Sequence, residues 1–263
     1  DAEARENFSE EIEVVVTKAL PRLSFMDSRR LIEFIIDFLP KINDYTIADF
    51  SEVQKKMWQM LQFTIWQKPY DECGFKDLLE GFRKIANAPT MMNEIIELLR
   101  YKYEKIDFID EPVPVNFECP LDLHCSYTRD QILVALDFMK PRSVREGVKY
   151  LKDKKTDLFF VTLNKSDKDY SPTTMYNDYA INDELFHWQS QSTTSAHSPT
   201  GKRYINHHQI GTNVMLFVRE NNDAKVGKAP YTFLGLVDYV SSEGSKPMNI
   251  IWKLKKPIPA KYL

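Results

Sequence analysis

The chain has 263 residues, of which 43% are hydrophobic, and its formal net charge is −3. A chain of this length and composition is long enough for one or two folded domains with buried cores. No run approaches the roughly 20 consecutive apolar residues that cross a bilayer, and the N-terminus lacks the basic and apolar regions of a secretory signal. These observations argue against a membrane protein and against an exported one.

The cysteines indicate a cellular compartment, and the distribution of charge indicates which part of the chain meets a charged partner. Cys73, Cys119 and Cys125 are an odd set without the spacing of a disulfide framework, which is typical of a reducing compartment, so we expect a cytoplasmic protein. Residues 1–110 hold 15 Lys/Arg against 21 Asp/Glu, a net charge of −6, whereas residues 111–263 hold 20 against 17, a net charge of +3. The second part is therefore the part expected to meet a polyanion.

The first 110 residues carry a helical pattern. Apolar residues recur there at three- and four-residue spacing, which places them on one face of a helix. Five segments show this pattern: 12–20, 31–39, 50–57, 75–82 and 92–103. Prolines lie near the breaks between these segments, where a missing amide proton does least harm. We predict a helical connector domain over residues 1–110.

Residues 111–127 begin with Glu111-Pro112-Val113-Pro114-Val115, and each proline favours an extended conformation for the residue before it. We predict an extended linker or entry strand here, followed by a β-rich domain over residues 128–263. One helix is expected at 128–139, and polar loops are expected at 192–201 and 221–228. Alternating apolar and aromatic residues predict strands at 158–163, 185–191, 214–218, 231–237 and 248–254. The predicted fold class is α+β, with a helical bundle followed by a curled β-sheet or partly open barrel.

Several kinds of chemistry lack their motifs. The sequence has no Walker-type phosphate loop, no nucleophile elbow, no zincin motif and no CxxC pair. Cys119, His124 and Cys125 would form a zinc site with His207 and His208 only if the fold brought them together, and their spacing matches no common zinc module. We expect no catalytic residue, no metal and no cofactor in this chain.

Aromatic, acidic, amide and basic residues are concentrated between residues 176 and 207. An extruded nucleobase needs aromatic surfaces that replace its lost stacking and polar groups that match its Watson–Crick edge. A carboxylate such as Asp178 suits the exocyclic amine of cytosine. Two simpler readings stay open: the aromatic residues pack in the core, and Asp178 caps the turn that follows it.

Six strings then make the sequence recognisable. They are residues 178–181, 185–191, 198–205, 216–219, 231–235 and 247–252. In this order they resemble the C-terminal domain that follows a phospholipase-D-type nuclease and a superfamily-two helicase in bacterial restriction enzymes of the SauUSI type. The resemblance covers about residues 145–263. It implies a specificity module of a modification-dependent (type IV) restriction enzyme, active in phage defence in the bacterial cytoplasm.

The resemblance also implies a partner and a site. The expected partner is double-stranded DNA with 5-methylcytosine or 5-hydroxymethylcytosine, and the nuclease and helicase belong to the same polypeptide. The fold is expected to resemble the SET-and-RING-associated base-flipping domains, although Gln189-Ser190-Gln191-Ser192 replaces their Gly-rich stretch. The pocket for the flipped base is assigned to Tyr176, Asp178, Tyr179, Phe186, Trp188, Gln189 and Ser190. Contacts with the DNA backbone and flanking bases are assigned to Gln191, Lys202, Arg203, Tyr204, His207, Arg219, Lys253 and Lys255.

In this assignment, Tyr176 and Trp188 sandwich the base, Asp178 accepts from its amine, and Phe186 or Tyr179 contacts the methyl group. The lysines are equally compatible with an ordinary solvated face. Two other functions fit the same residues. Residues 111–263 would serve as a protein-interaction or autoinhibitory module that docks on the helicase, or they would bind RNA or single strands through interleaved aromatic and basic side chains.

Overall fold

The computed structural model describes residues 2–166 and 176–263, with the side chains of residues 2–9 left aside. The chain divides into two compact units, Asp1–Val144 and Arg145–Leu263. The predicted linker and the helix after it lie within the first unit. In the described part of the chain, no helix combines the length and the apolar character needed to cross a membrane.

The first unit is helical, as its sequence periodicity predicts. Its helices are α1 (Ala2–Leu23), α2 (Arg29–Phe38), α3 (Glu52–Trp66), α4 (Glu80–Ala86), α5 (Pro89–Glu104) and α6 (Arg129–Ala135). Side-chain caps set several starts, because a hydroxyl oxygen accepts one of the amide protons left without a helical partner. Ser28 caps α2 in this way, and Ser51 and Thr128 form capping boxes at α3 and α6. Pro21 lies inside α1 rather than between two helices.

The segment after α5 is tied to the start of α2. Arg29 pairs with Asp110 at 2.6 Å and Arg30 with Asp122 at 2.8 Å. The Ser28 hydroxyl also donates to Asp122 at 2.8 Å. The two-residue strand β1 (Ser126–Tyr127) follows. Residues 111–127 are therefore a packed part of the first unit.

The second unit is built on a mixed, open sheet. Its strands are β2 (Val148–Leu151), β3 (Thr156–Thr162), β4 (Tyr179–Ala180), β5 (Leu185–Gln189), β6 (Asn213–Arg219), β7 (Tyr231–Glu243) and β8 (Asn249–Leu254). They lie in the order β2-β3-β6-β7-β8-β5-β4, and β3 and β6 run parallel while the other neighbours are antiparallel. The five predicted strands are present. The predicted loop at 192–201 is wrong at its end, because α7 (Pro199–Asn206) starts there.

The interior of the second unit joins strands that are distant in the sheet. Phe159 of β3 stacks on Trp188 of β5 with ring centroids 4.0 Å apart, although β6, β7 and β8 lie between these strands. Tyr204 of α7 and Trp252 of β8 meet the same rings edge-on. The inner faces of β3, β5 and β8 therefore share one aromatic core.

Candidate nucleic-acid interface

The residues of β5 that were singled out from the sequence fall into two sets, because alternate side chains of the strand face opposite sides. In β5, Phe186 and Trp188 are buried, whereas Leu185, His187 and Gln189 are partly exposed. Successive side chains of a strand point to opposite faces, so one set enters the core and the other faces outward. We call residues 176–179, together with His187 and Gln189, the polar edge.

Asp178 anchors the polar edge. One carboxylate oxygen lies 2.8 Å from Lys165 Nζ, and the other accepts the backbone N–H of Gln189 at 2.9 Å. Lys165 Nζ also donates to the carbonyl oxygen of Tyr176 at 2.9 Å. Burial raises the pKa of Asp178, while the Lys165 ammonium acts to lower it. Both carboxylate oxygens have internal partners and the side chain is only 4% exposed, so the predicted role of Asp178 as acceptor for a cytosine amine requires the polar edge to open.

Tyr179 provides the exposed aromatic surface of the polar edge. Its ring stacks on the His187 ring, with centroids 4.7 Å apart and planes 13° apart. His187 is held in turn by Nδ1, which lies 2.8 Å from the carbonyl oxygen of Asn177. Tyr179 remains 43% exposed. Part of the Tyr179 side chain is therefore open to a ligand beside the His187 ring.

Gln189 fixes the backbone of the polar edge. Its Oε1 accepts the Asn177 N–H at 2.6 Å, and its Nε2 donates to Oδ1 of Asn249 on β8 at 2.9 Å. The hydroxyl of Tyr176 accepts the backbone N–H of Ser192 at 3.2 Å. Side-chain hydrogen bonds thus join residues 176 and 177 to β5, β8 and Ser192.

Three predicted pocket residues do not line an open pocket in this structure. Trp188 is only 3% exposed and stacks on Phe159, and Phe186 is fully buried. Ser190 is also buried, and its hydroxyl accepts the Met248 N–H at 2.8 Å. The parity of β5 directs these side chains inward, so the predicted sandwich between Tyr176 and Trp188 is not formed. Base flipping between these two rings would require Trp188 to leave Phe159.

The two predicted arginine contacts are engaged within the protein. Arg203 forms a two-point pair with Asp157, at 2.8 and 2.9 Å, and its guanidinium lies 3.8 Å from the centre of the Tyr150 ring. Burial raises the pKa of Asp157, and Arg203 opposes this shift. Arg219 bonds Thr162 and the loop after β6. Both arginines hold the second unit together, so their assignment to DNA phosphates is not supported by their contacts.

The other residues predicted to contact the DNA backbone or flanking bases fall into two groups. Tyr204 and His207 are buried, and the Tyr204 hydroxyl donates to Oε1 of Gln191 at 3.2 Å. The three lysines, by contrast, are exposed: Lys202, Lys253 and Lys255. Lys202 and Lys253 are therefore accessible to a polyanion, whereas Lys255 would first have to leave the carboxylate of Asp238.

A cleft of about 280 Å³ opens beside Lys255, where β6, β7 and β8 come together. Lys255 pairs with Asp238 at 2.7 Å, and Nδ1 of His208 lies 4.0 Å from the same carboxylate. Asp238 was not singled out from the sequence, and His208 was considered there only as a candidate zinc ligand. Among the residues that the structure describes, no three His, Cys, Asp or Glu side chains are grouped so that they could hold a metal ion.

The sequence analysis also missed Lys165, His187 and Asn249. His187 lies in the middle of the string that carries the resemblance, next to Trp188. Alternation along β5 would have placed His187 and Gln189 together on the face opposite Trp188. No comparable signal marks Lys165, because its partner Asp178 is thirteen residues away and belongs to another strand region.

The sequence profile of a family described as Domain of unknown function (DUF3427) matches residues 121–263, more than half of the chain. The chain belongs to this family. A comparison with curated proteins gave no match. The DUF3427 region contains α6, the whole second unit and therefore the complete polar edge, whereas α1 to α5 precede it.

Proposed function

We propose that the chain binds double-stranded DNA that carries 5-methylcytosine and that it does so without catalysing a reaction. On this proposal it is the recognition module of a larger modification-dependent restriction enzyme in the bacterial cytoplasm, with the nuclease and the helicase in the same polypeptide. The resemblance of residues 145–263 to the C-terminal domain of SauUSI-type enzymes supports the assignment. The observation that carries it is the Tyr179–His187 stack, in which the tyrosine side chain is 43% exposed.

The modified base, on this proposal, leaves the helix and stacks on the outward face of Tyr179. An extruded base loses its neighbours in the duplex, and an aromatic ring replaces part of that stacking energy. Tyr179 suits this role better than Trp188, because Trp188 is already stacked on Phe159. On this proposal, the side chains of the neighbouring residues Asn177 and Tyr176 form hydrogen bonds with the Watson–Crick edge of the pyrimidine.

Exposed lysines supply the sequence-independent part of the affinity. Lys202, Lys253 and Lys255 are exposed on the second unit. Lysine contacts with phosphates release counterions, so binding weakens steeply as the salt concentration rises. The methyl group itself contributes only about 1 kcal/mol by its area, and discrimination against unmodified cytosine is therefore modest.

The proposal includes a structural relationship. We relate the sheet of the second unit to the SET-and-RING-associated base-flipping domains on the strength of the resemblance. The contact between Phe159 and Trp188 supports this relation, because it joins β3 to β5 across the interior as expected for a curled sheet.

The test is an equilibrium binding measurement with the whole chain. Duplexes with and without a single 5-methylcytosine are titrated at two salt concentrations. We expect tighter binding of the modified duplex and weaker binding of both at the higher salt. Equal binding of both duplexes would contradict recognition of the modification. Absence of binding to any duplex would overturn the proposal and favour a module that docks on the helicase.

Two variants locate the site. Tyr179→Ala removes the stacking ring and is expected to abolish the preference for the modified duplex. Ile181→Ala is the matched control, because Ile181 lies just beyond β4 and has the same exposed fraction, 43%. If Tyr179→Ala keeps the full preference, the base does not stack there, even if the modified duplex is bound.

A further inference from the structure

The loop between β6 and β7, residues 220–230, is folded as a short hairpin. The Ala224 N–H donates to the Gly227 carbonyl oxygen at 3.0 Å, and the Ala229 N–H donates to that of Asn222, also at 3.0 Å. These bonds pair the outgoing and returning strands of the loop. We call residues 220–230 the β6–β7 hairpin.

The tip of the β6–β7 hairpin consists of Lys225 and Val226. Asp223 and Lys228 pair across it as an antiparallel bridge, and their side chains form an ion pair at 2.7 Å. Gly227 completes the turn with φ +73°, a conformation that favours glycine. Val226 is 61% exposed. A closed and cross-linked hairpin thus presents an apolar side chain next to a lysine.

Arg219 holds the root of the hairpin. Its guanidinium donates to Thr162 Oγ1 at 2.9 Å, to the Ala229 carbonyl oxygen at 3.1 Å and to Asn222 Oδ1 at 2.6 Å. The same group lies 4.3 Å from the centre of the Tyr231 ring. Each of these bonds involves a charged donor, and such bonds are stronger than neutral ones. The hairpin therefore projects from a fixed base.

The β6–β7 hairpin also adjoins the polar edge. The Asn164 N–H donates to the Glu220 carbonyl oxygen at 2.7 Å, and Asn164 Nδ2 donates to Asn221 Oδ1 at 3.2 Å. The next residue, Lys165, forms the ion pair with Asp178. The root of the hairpin is therefore linked to Asp178 of the polar edge through the adjacent residues Asn164 and Lys165.

We infer that the β6–β7 hairpin enters the major groove of the bound duplex and places Val226 against the 5-methyl group of a flanking pyrimidine. The inference rests on the proposed function and adds the reading of a second position. The major groove is about 12 Å wide and admits a two-stranded ribbon. Pyrimidine methyl groups project into that groove, where apolar side chains contact them. Lys225, next to Val226, contacts a neighbouring phosphate.

The inference predicts a preference for thymine or 5-methylcytosine over uracil or cytosine at the flanking position. Deoxyuridine tests this directly, because it differs from thymidine only by the methyl group. In a duplex with one 5-methylcytosine, the thymines within about five base pairs on each side, half a helical turn, are replaced by deoxyuridine. Wild-type binding is expected to weaken by about fourfold, the equivalent of one buried methyl group.

A pair of variants assigns the effect to the hairpin. Val226→Ser removes the apolar contact and is expected to bind thymine and deoxyuridine duplexes equally. Val240→Ser, the same change at an exposed valine of β7, is expected to keep the fourfold difference. An unchanged difference in Val226→Ser, or no difference in the wild type, would overturn the inference.

The two failures are distinguishable. If the wild type prefers the methylcytosine duplex but binds thymine and deoxyuridine duplexes equally, the proposed function stands and only the role of the hairpin is contradicted. If replacing thymine weakens binding but methylcytosine gives no preference, the proposed specificity is contradicted and the contact between the hairpin and the major groove stands. Absence of binding to any duplex removes both.

Discussion

Lys165 and Asp178 form an ion pair that is almost withdrawn from solvent, with 8% and 4% of their side-chain surfaces exposed and 2.8 Å between Nζ and Oδ2. Since Asp178 also accepts the Gln189 N–H, the pair fastens the polar edge to β5. Neither charge has enough water around it to be stable alone. The position of Tyr179 therefore depends on both residues.

Lys165→Met is expected to destabilise the protein by about 3–5 kcal/mol, because it leaves the Asp178 carboxylate buried without a cation. Lys165→Met combined with Asp178→Asn is expected to recover most of this loss. Chemical denaturation measures both, with Lys253→Met at an exposed lysine as control. Loss of Lys165 raises the pKa of Asp178 further, so the penalty shrinks as the pH falls and the carboxyl group protonates. A single variant as stable as the wild type would show that the pair is dispensable.

His207 predicts a pH dependence of stability. Its Nδ1 lies 3.0 Å from the Thr212 carbonyl oxygen, to which it donates, and its Nε2 accepts the Tyr239 N–H at 2.9 Å. This arrangement requires neutral imidazole, because protonated Nε2 would face a donor. Burial lowers the pKa of His207 below its ordinary value of 6.5. The carboxylates of Asp238 and Asp157 oppose that shift, and His208 adds to it.

The direction of this pH dependence follows from the thermodynamic linkage between proton binding and folding. A lowered folded-state pKa gives stability that is present above about pH 6.5 and is lost as the pH falls through the folded-state value. We expect the free energy of unfolding to decrease between pH 7 and pH 5 by at most about 2 kcal/mol, because one titrating group contributes about 1.4 kcal/mol per pH unit below its ordinary pKa of 6.5. His207→Gln should flatten this dependence, and His197→Gln, at an exposed histidine, should not. An identical pH profile in His207→Gln would exclude His207 as the source.

Gly201→Ala is expected to destabilise the second unit, although alanine ordinarily favours a helix by about 1 kcal/mol. A Cβ atom at residue 201 would lie 1.8 Å from the Ser195 carbonyl oxygen and 3.1 Å from Met248 Sδ. Such overlap forces α7 away from the preceding loop, at a cost of at least about 1–3 kcal/mol. Thermal unfolding measures the effect. Lys202→Ala, at the next and exposed position, should change stability by less than about 0.5 kcal/mol, and a stabilised Gly201→Ala would refute the close contact.

The three thiols are expected to differ in reactivity. Cys119 and Cys125 are buried, while Cys73 is partly exposed. Burial raises the pKa of Cys119 to about 11. Burial also raises the pKa of Cys125 strongly, and the carboxylates of Asp27, Asp122 and Asp110 raise it further.

Since the thiolate is the reactive form, a thiol reagent at pH 8 should label one cysteine in the folded protein and three after unfolding. Mass spectrometry gives the count. Cys73→Ser should abolish labelling of the folded protein, and rapid modification of Cys125 would contradict the buried position.

Periodicity predicted the order of helices and strands because burial imposes it on the sequence. It failed where burial is partial. The second half of β7 carries Asp238 and Ser241, so its pattern does not alternate and the predicted strand stopped at residue 237. The start of α7 fell in the predicted loop 192–201, yet a capping Ser198 with proline at the first helical position is a helix start.

The sequence did not predict which side chains of the string 176–191 reach the surface. Tyr179 is 43% exposed and Gln189 partly exposed, whereas Phe186, Trp188 and Ser190 are buried. Aromatic residues, however, suit a core as well as a binding surface, and Trp188 went to the core. Composition does not distinguish a core aromatic residue from a surface one, whereas the alternation of side chains along β5 does. The engagement of Asp178 by Lys165 depends on a tertiary contact that no local pattern reveals.

The strand β7 is shared between two sets of neighbours. Residues 232–236 pair with β6, and residues 237–243 pair with β8. The strands on the β6 side and those on the β8 side are therefore joined through one continuous strand. When one side unfolds, the other side loses part of the strand with which it pairs. Amide protons of β6 and β8 should consequently exchange with solvent through a shared, cooperative opening, so that the hairpin side and the polar-edge side lose protection together.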